Sequence, residues 1–367
     1  MRIGIINEST DHRVALTPDI VKILKNEKND ICIEKGAGEA AFFQDSLFHN
    51  VGARMESRDV VLSESELLIT LAPVKSEDLK KLKPGSVIIS SFEPFSKPEI
   101  LQSLSEFPIT AISLDMIPRI TLAQSMDVLS SMASLAGYKA VLLAANRLPR
   151  YFPMLTSAAG SIPPAKVLTL GAGVAGLQAI ATARRLGAVV EAFDTRLASK
   201  EEVESLGAKF VMVEGAVDDK DAGGYAVEQS EEYKKKQGEL IHERVIKSDV
   251  VITTALIRGK KSPILITKEM VQEMKAGSVI VDLASSGGGN CELTEDQKTV
   301  EKYGITIIGD SNLAAGVAQH ASQMFAKNIQ NLLKVLIQDG ELNLDLDNEI
   351  LGSSCIVHEG SIRYNSK

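Results

Sequence analysis

The chain has no tryptophan, and aromatic residues make up only 4% of its 367 residues. Intrinsic tryptophan quenching is therefore excluded as a probe of ligand binding. Cysteine is scarce as well. Cys32, Cys291 and Cys355 are scattered, odd in number and in no Cys-x-x-Cys pair. That pattern excludes a disulfide framework and a zinc site and fits a reducing compartment. The five histidines (His12, His49, His242, His320 and His358) are equally dispersed, none at metal-ligand spacing from another ligand. No basic patch dominates a net charge of −8, which argues against a nucleic-acid binder. We find no run of about 18 apolar residues, and the longest apolar helix candidate, 140–145, is far too short to cross a bilayer. The opening Met1-Arg-Ile-Gly-Ile-Ile6 reads as a first strand rather than a signal peptide, because no long apolar stretch or small-residue cleavage site follows.

What is present describes a globular protein, 44% hydrophobic and 24% charged, and long enough for two cores. Strand candidates at 2–6, 31–34, 67–71, 87–91 and 109–114 alternate with helical patterns. One helix begins at Thr17-Pro18, a capping residue followed by proline at the first helical position. A second, more regular set lies at 167–170, 189–193, 209–213, 250–254, 279–283 and 305–308. Such alternation implies an α/β protein with mainly parallel sheets flanked by helices. The apolar stretch 127–148 reads as a helix joining two domains, and 314–336 as a helix returning the chain to the first. The expected division is a discontinuous first α/β domain, 1–128 with 319–367, and a second domain, 129–318. The polar insert 214–243 is longer than a usual connection. It reads either as a lid hinged at Gly223 and Gly224 or as a solvated loop plus a charged surface helix.

The densest signal is Val167-Leu-Thr-Leu-Gly-Ala-Gly-Val-Ala-Gly176, a buried-strand pattern running into Gly-x-Gly-x-x-Gly. Gly171 allows the tight turn, Gly173 lets backbone approach a pyrophosphate, and Gly176 lets the next helix pack close to its strand. The helix would aim free N–H groups and a positive dipole end at phosphates. The next strand pattern ends at Asp194, about 20 residues on, where an acid binds the adenosine ribose. The reading is dinucleotide binding; the alternative is a similar turn that holds no ligand. Ser285-Ser-Gly-Gly-Gly-Asn290 follows another strand, at the end where such sheets bind ligands. The stretch Pro118-Arg-Ile-Thr-Leu-Ala-Gln-Ser-Met-Asp127 places Arg119, Gln124 and Asp127 in one polar cluster between the domains. These groups suit a carboxamide and a ribose in an interdomain cleft, although by composition alone the stretch is only a capped helix start.

Taken with Arg13-Val-Ala-Leu-Thr-Pro18, Phe193-Asp-Thr-Arg196, Gly223-Gly-Tyr225, Thr253-Thr-Ala-Leu256 and Gly288-Gly-Asn-Cys291, the chain resembles the NAD(H)-binding first domain of the proton-translocating nicotinamide nucleotide transhydrogenases, the alpha-1 subunit of their split-gene form. The likeness covers essentially the whole sequence. The Arg119…Asp127 loop joined to Leu-Ser-Ser carries most of its specificity, because the glycine motif and Arg-Val-Ala-x-Thr-Pro are shared with the alanine dehydrogenases.

The resemblance implies two Rossmann-like domains with a nucleotide cleft between them, NAD(H) as cofactor, and NADP(H) on a partner subunit. It also implies a homodimer, attached at the inner face of a membrane through partner subunits that carry the proton channel. Arg119, Gln124 and Asp127 would lie at the nicotinamide, with Ser130 nearby. Val174 would lie along the pyrophosphate, and Asp194, Thr195 and Arg196 at the adenosine ribose. Gly224 and Tyr225 would sit in a mobile loop, with Gln237 and Leu256 completing the pocket. Three departures stand out. Ser286 replaces the family's usual Glu, Asn312-Leu-Ala-Ala-Gly316 lacks the usual Pro and Arg, and the loop 7–13 is short. An alanine-type dehydrogenase would need acid–base and cationic groups where the chain has Leu71, Ser91-Phe-Glu-Pro94 and Ser286. A non-catalytic NAD sensor is the third reading.

Overall fold

Short β-branched runs, closed by glycine, proline and polar turns, form strands that are buried on both faces, as parallel sheets require. The computed structural model describes residues 1–8, 11–213, 231–257, 259–338 and 340–364, with no side-chain description at 231–234. The described chain divides into two units, Met1–Met132 with Ala314–Lys367, and Ala133–Leu313.

The first unit holds an eight-stranded sheet in the spatial order Ser361–Ile362, Cys355–His358, Thr110–Ser113, Val87–Ser90, Leu67–Ile69, Arg2–Ile5, Asp30–Glu34, Arg54–Glu56. The last six in this order are parallel. The two C-terminal strands are antiparallel additions at one edge. Strand order reverses between Arg2–Ile5 and Leu67–Ile69, where Ile3 faces Leu67 in register. The period-2 alternation sends Leu67 and Ile69 into one apolar layer and Leu68 into the other. Helix Pro18–Asn26 starts at proline as expected, but Thr17 only supplies extended backbone there and makes no side-chain cap bond. Helix Ala318–Leu336 buries Ala318, Ala321, Phe325, Ile329, Leu332 and Leu336 along one face, the stripe a surface helix turns toward its core.

The second unit is a seven-stranded sheet in the order Lys209–Val211, Val189–Phe193, Lys166–Leu170, Val250–Thr253, Val279–Asp282, Ile305–Gly309, Lys298–Lys302. All pairs are parallel except the last. The reversal of strand order here falls between Lys166–Leu170 and Val250–Thr253, the place where doubly wound sheets hold ligands.

Helix Val128–Arg147 corrects one expectation. Among the described residues it is a helix long and apolar enough, by length and composition, to cross a membrane. Its alanine, leucine, serine and methionine content, with Lys139 its one charged residue before the terminal arginine, gives it that character. Ala140, Val141 and Ala144 pack in the core of the second unit, and Val128 in the core of the first.

Candidate functional site

At the switch point of the second unit the strand Lys166–Leu170 runs into Gly171, whose φ of +102° lies in the left-handed region. A Cβ there would fall 2.4 Å from Thr254 Oγ1, so conformation and crowding both require glycine. Gly176 is required by contact alone, since a Cβ would stand 1.9 Å from the Gly171 carbonyl oxygen. Gly173 differs. It precedes helix Val174–Arg185 with extended backbone and no side-chain cap, and among the described residues beyond its chain neighbours no atom lies within 4 Å of where its Cβ would stand. Packing among the described residues therefore does not account for glycine at 173. Val174 is half exposed at the helix start.

Asp194 follows the neighbouring strand Val189–Phe193. Its carboxylate accepts the Ala172 N–H at 2.7 Å, which ties it to the glycine turn. It also accepts the Arg196 backbone N–H at 2.8 Å and both arms of the Arg196 fork, Nε at 3.0 Å and Nη2 at 2.9 Å. Thr195 lies half-buried between them. Leu256, more than half exposed, follows Thr254 on the other side of the turn, and the Thr254 hydroxyl donates to the Gly171 carbonyl at 3.2 Å. The structure thus brings Gly171, Asp194 and the segment carrying Leu256 together.

Gln237 is half-buried on helix Glu231–Lys247, so this part of the polar insert is a helix whose Ile241 and Val245 enter the core. Gly224 and Tyr225 lie outside the described residues, as do the hinge glycine Gly223 and the rest of 214–230.

Arg119, Gln124, Asp127 and Ser130 belong to the first unit. Gln124 is exposed on the 3-10 helix Thr121–Met126, and Arg119 is exposed just before it. Asn328 and Asn331, on helix Ala318–Leu336, both donate side-chain N–H to the Ser125 carbonyl, at 2.8 and 3.2 Å, and hold this segment in place. Asp127 accepts the Ser130 backbone N–H at 2.9 Å and its hydroxyl at 2.6 Å. It therefore caps helix Val128–Arg147, the structural role its composition suggests.

No described group of histidine, cysteine or acidic side chains could hold a metal. The three thiols are buried, and burial pushes Cys32 and Cys291 up to about 11, so neither supplies a thiolate nucleophile near neutral pH. The sequence reading missed Glu8. It accepts the Leu71 N–H at 2.7 Å across the switch point of the first unit. Burial raises its carboxyl to about 7, with Asp11 adding to the shift and the Leu71 N–H, Arg13 and Arg58 opposing it. A single glutamate in a loop gives no sequence signal of that burial.

The model of the alanine dehydrogenase/PNT N-terminal domain matches residues 4–136, and that of the C-terminal domain matches 140–365. In Rhodospirillum rubrum, the first of the chains making up NAD(P) transhydrogenase subunit alpha is 43% identical over 99% of this chain and 97% of its own length. A solved structure of the transhydrogenase from Sinorhizobium meliloti superposes with a TM-score of 0.91 at 40% identity, covering 99% of this chain and 100% of that one. An alanine dehydrogenase of Halomonas elongata is 26% identical over 100% of this chain and 95% of its own length. The fold, the matches across both halves and the much higher identity to the transhydrogenase subunits lead to one conclusion: the chain belongs to the alanine dehydrogenase/PNT family, on the branch of the NAD(P) transhydrogenase alpha subunits.

Proposed function

We propose that this chain is the NAD(H)-binding subunit of a proton-translocating transhydrogenase, exchanging hydride with NADP(H) held on a partner subunit. The observation that carries the nucleotide assignment is Gly173. It stands at a helix N-terminus on the switch point of a doubly wound sheet, and no contact among the described residues requires it to be glycine. Close approach of a pyrophosphate to the backbone supplies the missing reason. Gly171 and Gly176 shape the turn, and Val174 borders it. Asp194 stands where an adenosine ribose binds, with Thr195 and Arg196 beside it; Leu256 and Gln237 are assigned to the same pocket, and the family resemblance assigns Gly224 and Tyr225, outside the described residues, to the nucleotide as well. Arg119, Gln124, Asp127 and Ser130 are assigned to the nicotinamide end.

Nicotinamide, when bound, supplies or accepts the hydride and needs no protein acid or base to do so. The chain's share of the chemistry is then to orient the ring and exclude water. Gln124 and Arg119 supply donors for the carboxamide, and Asp127 is already locked by Ser130. The positions at which an alanine-type dehydrogenase needs acid–base and cationic groups fit this reading. Leu71 is buried and apolar, and Ser286 lies in a glycine loop. We assign the chain as a homodimer, cytoplasmic and peripheral on the inner membrane face through the partner subunits that carry the proton channel. Mixing the purified chain with a recombinant NADP(H)-binding domain tests the proposal. NADH-dependent reduction of an NADP analogue is expected, and its absence while NADH still binds would overturn the transfer function.

A further inference from the structure

Asp282 ends the strand Val279–Asp282 wholly buried. The Thr253 and Thr294 hydroxyls donate to its carboxylate at 2.9 and 2.7 Å, and the N–H groups of Ala284, Asn290 and Cys291 at 3.0, 2.7 and 3.0 Å. These donors wrap the glycine loop around the carboxylate. Gly288 and Gly289 take φ of +97° and +83°, and a Cβ at Gly289 would fall 2.8 Å from Asp282 Oδ2.

The outcome of this wrapping is the placement of Asn290, itself wholly buried. Its Oδ1 accepts the Ala255 N–H at 2.9 Å, and its Nδ2 donates to the carbonyls of Ala255 and Pro263 at 2.9 and 2.8 Å. A donor on one side and two acceptors on the other allow only one orientation of the amide. The carboxamide therefore serves Ala255 as a neighbouring strand would, just where the chain has left the sheet. The adjacent Thr254 N–H still bonds the Leu170 carbonyl at 2.9 Å, and the Thr254 hydroxyl reaches Gly171. A continuous polar chain thus runs from Asp282 through Asn290 and the 254–255 backbone to the glycine turn. Leu256, next along, is more than half exposed, and its N–H bonds the Thr254 carbonyl at 3.0 Å.

We propose that Asn290 is a positioning residue for the nucleotide site. By pairing with both polar groups of Ala255 it sets the segment 254–256 against the turn 171–176, so that ordering this wall is not charged to binding. The proposal rests on the assignment of NAD(H) to the second unit. Titration of NADH by its fluorescence enhancement, on the wild type, Asn290→Ala and Thr254→Val, tests it. Wild-type binding is the control for the assignment itself; if no NADH binds, both the assignment and this proposal fall. Asn290→Ala is expected to raise Kd about tenfold with the number of sites per chain unchanged. In transfer assays KM for NADH should rise while kcat stays within about twofold, the signature of lost uniform binding. An unchanged Kd, or fewer sites at the wild-type Kd, would mean a merely structural role and overturns the proposal. Should Asn290→Ala fail to fold, Thr254→Val decides: about a threefold rise in Kd supports positioning through this segment, and no rise overturns it.

Discussion

Among the described residues Asp194 has two partners, and they pull its expected role in different directions. The Ala172 N–H aims it at the glycine turn, while the bidentate Arg196 fork covers part of its charge. A lone carboxylate beside a ribose repels a 2′-phosphate, but one neutralised by arginine repels it less. Removing the carboxylate leaves the guanidinium where that phosphate would lie. We therefore expect Asp194→Ala to weaken NADH binding about tenfold and to strengthen NADPH binding, and the double variant with Arg196→Ala to lose that gain. Nucleotide titrations decide the matter, and unchanged affinities for both nucleotides would refute the ribose assignment. The aspartate was legible from its spacing to the glycines. Its pairing with Arg196 was not, because two residues' separation says nothing about whether a side chain folds back or reaches outward.

At the scale of elements, the glycine turn separates packing from ligand approach. Gly176→Ala drives a methyl into the Gly171 carbonyl and should cost about 3 kcal/mol or more of stability. Gly173→Ala meets no described neighbour, so its unfolding free energy should stay within about 1 kcal/mol of wild type while NADH affinity falls. Chemical denaturation paired with NADH titration measures both, and normal NADH binding by Gly173→Ala would remove the main support for the nucleotide site. The buried parallel strands were readable because burial on both faces leaves uninterrupted β-branched runs. Lys298–Lys302 and Arg54–Glu56 were not, since these polar strands lie at sheet edges and carry no hydrophobic signature. Of the two C-terminal strands, Cys355–His358 is defined by its antiparallel pairing onto Thr110–Ser113, and the two-residue Ser361–Ile362 by its antiparallel pairing onto Cys355–His358.

At the scale of the whole molecule, Glu8 links stability to pH. Its folded carboxyl titrates at about 7 against an ordinary 4.5, chiefly because it is buried. The folded state then holds a proton that the unfolded chain releases. The contribution is fully present below pH 4.5 and is lost as pH rises through 7. Glu8→Gln keeps an acceptor for the Leu71 N–H but cannot ionise. Relative to this variant, wild type should lose on the order of 2–3 kcal/mol between pH 4.5 and pH 8. Urea midpoints of both proteins across that range provide the measurement, and parallel curves would show that Glu8 does not couple proton binding to folding.

Local chemistry, written in order along the chain, was enough to determine the α/β class, the glycine turn with its following helix, and the acid one strand later. Each depends on residues near one another in sequence and on periodicities of two or 3.6. Only the tertiary structure decided what converges from a distance. Asn290 meets Ala255, Glu8 meets Leu71, and Asn328 meets Ser125. In each case a polar side chain satisfies a backbone group far away in sequence, and no local pattern encodes that partner.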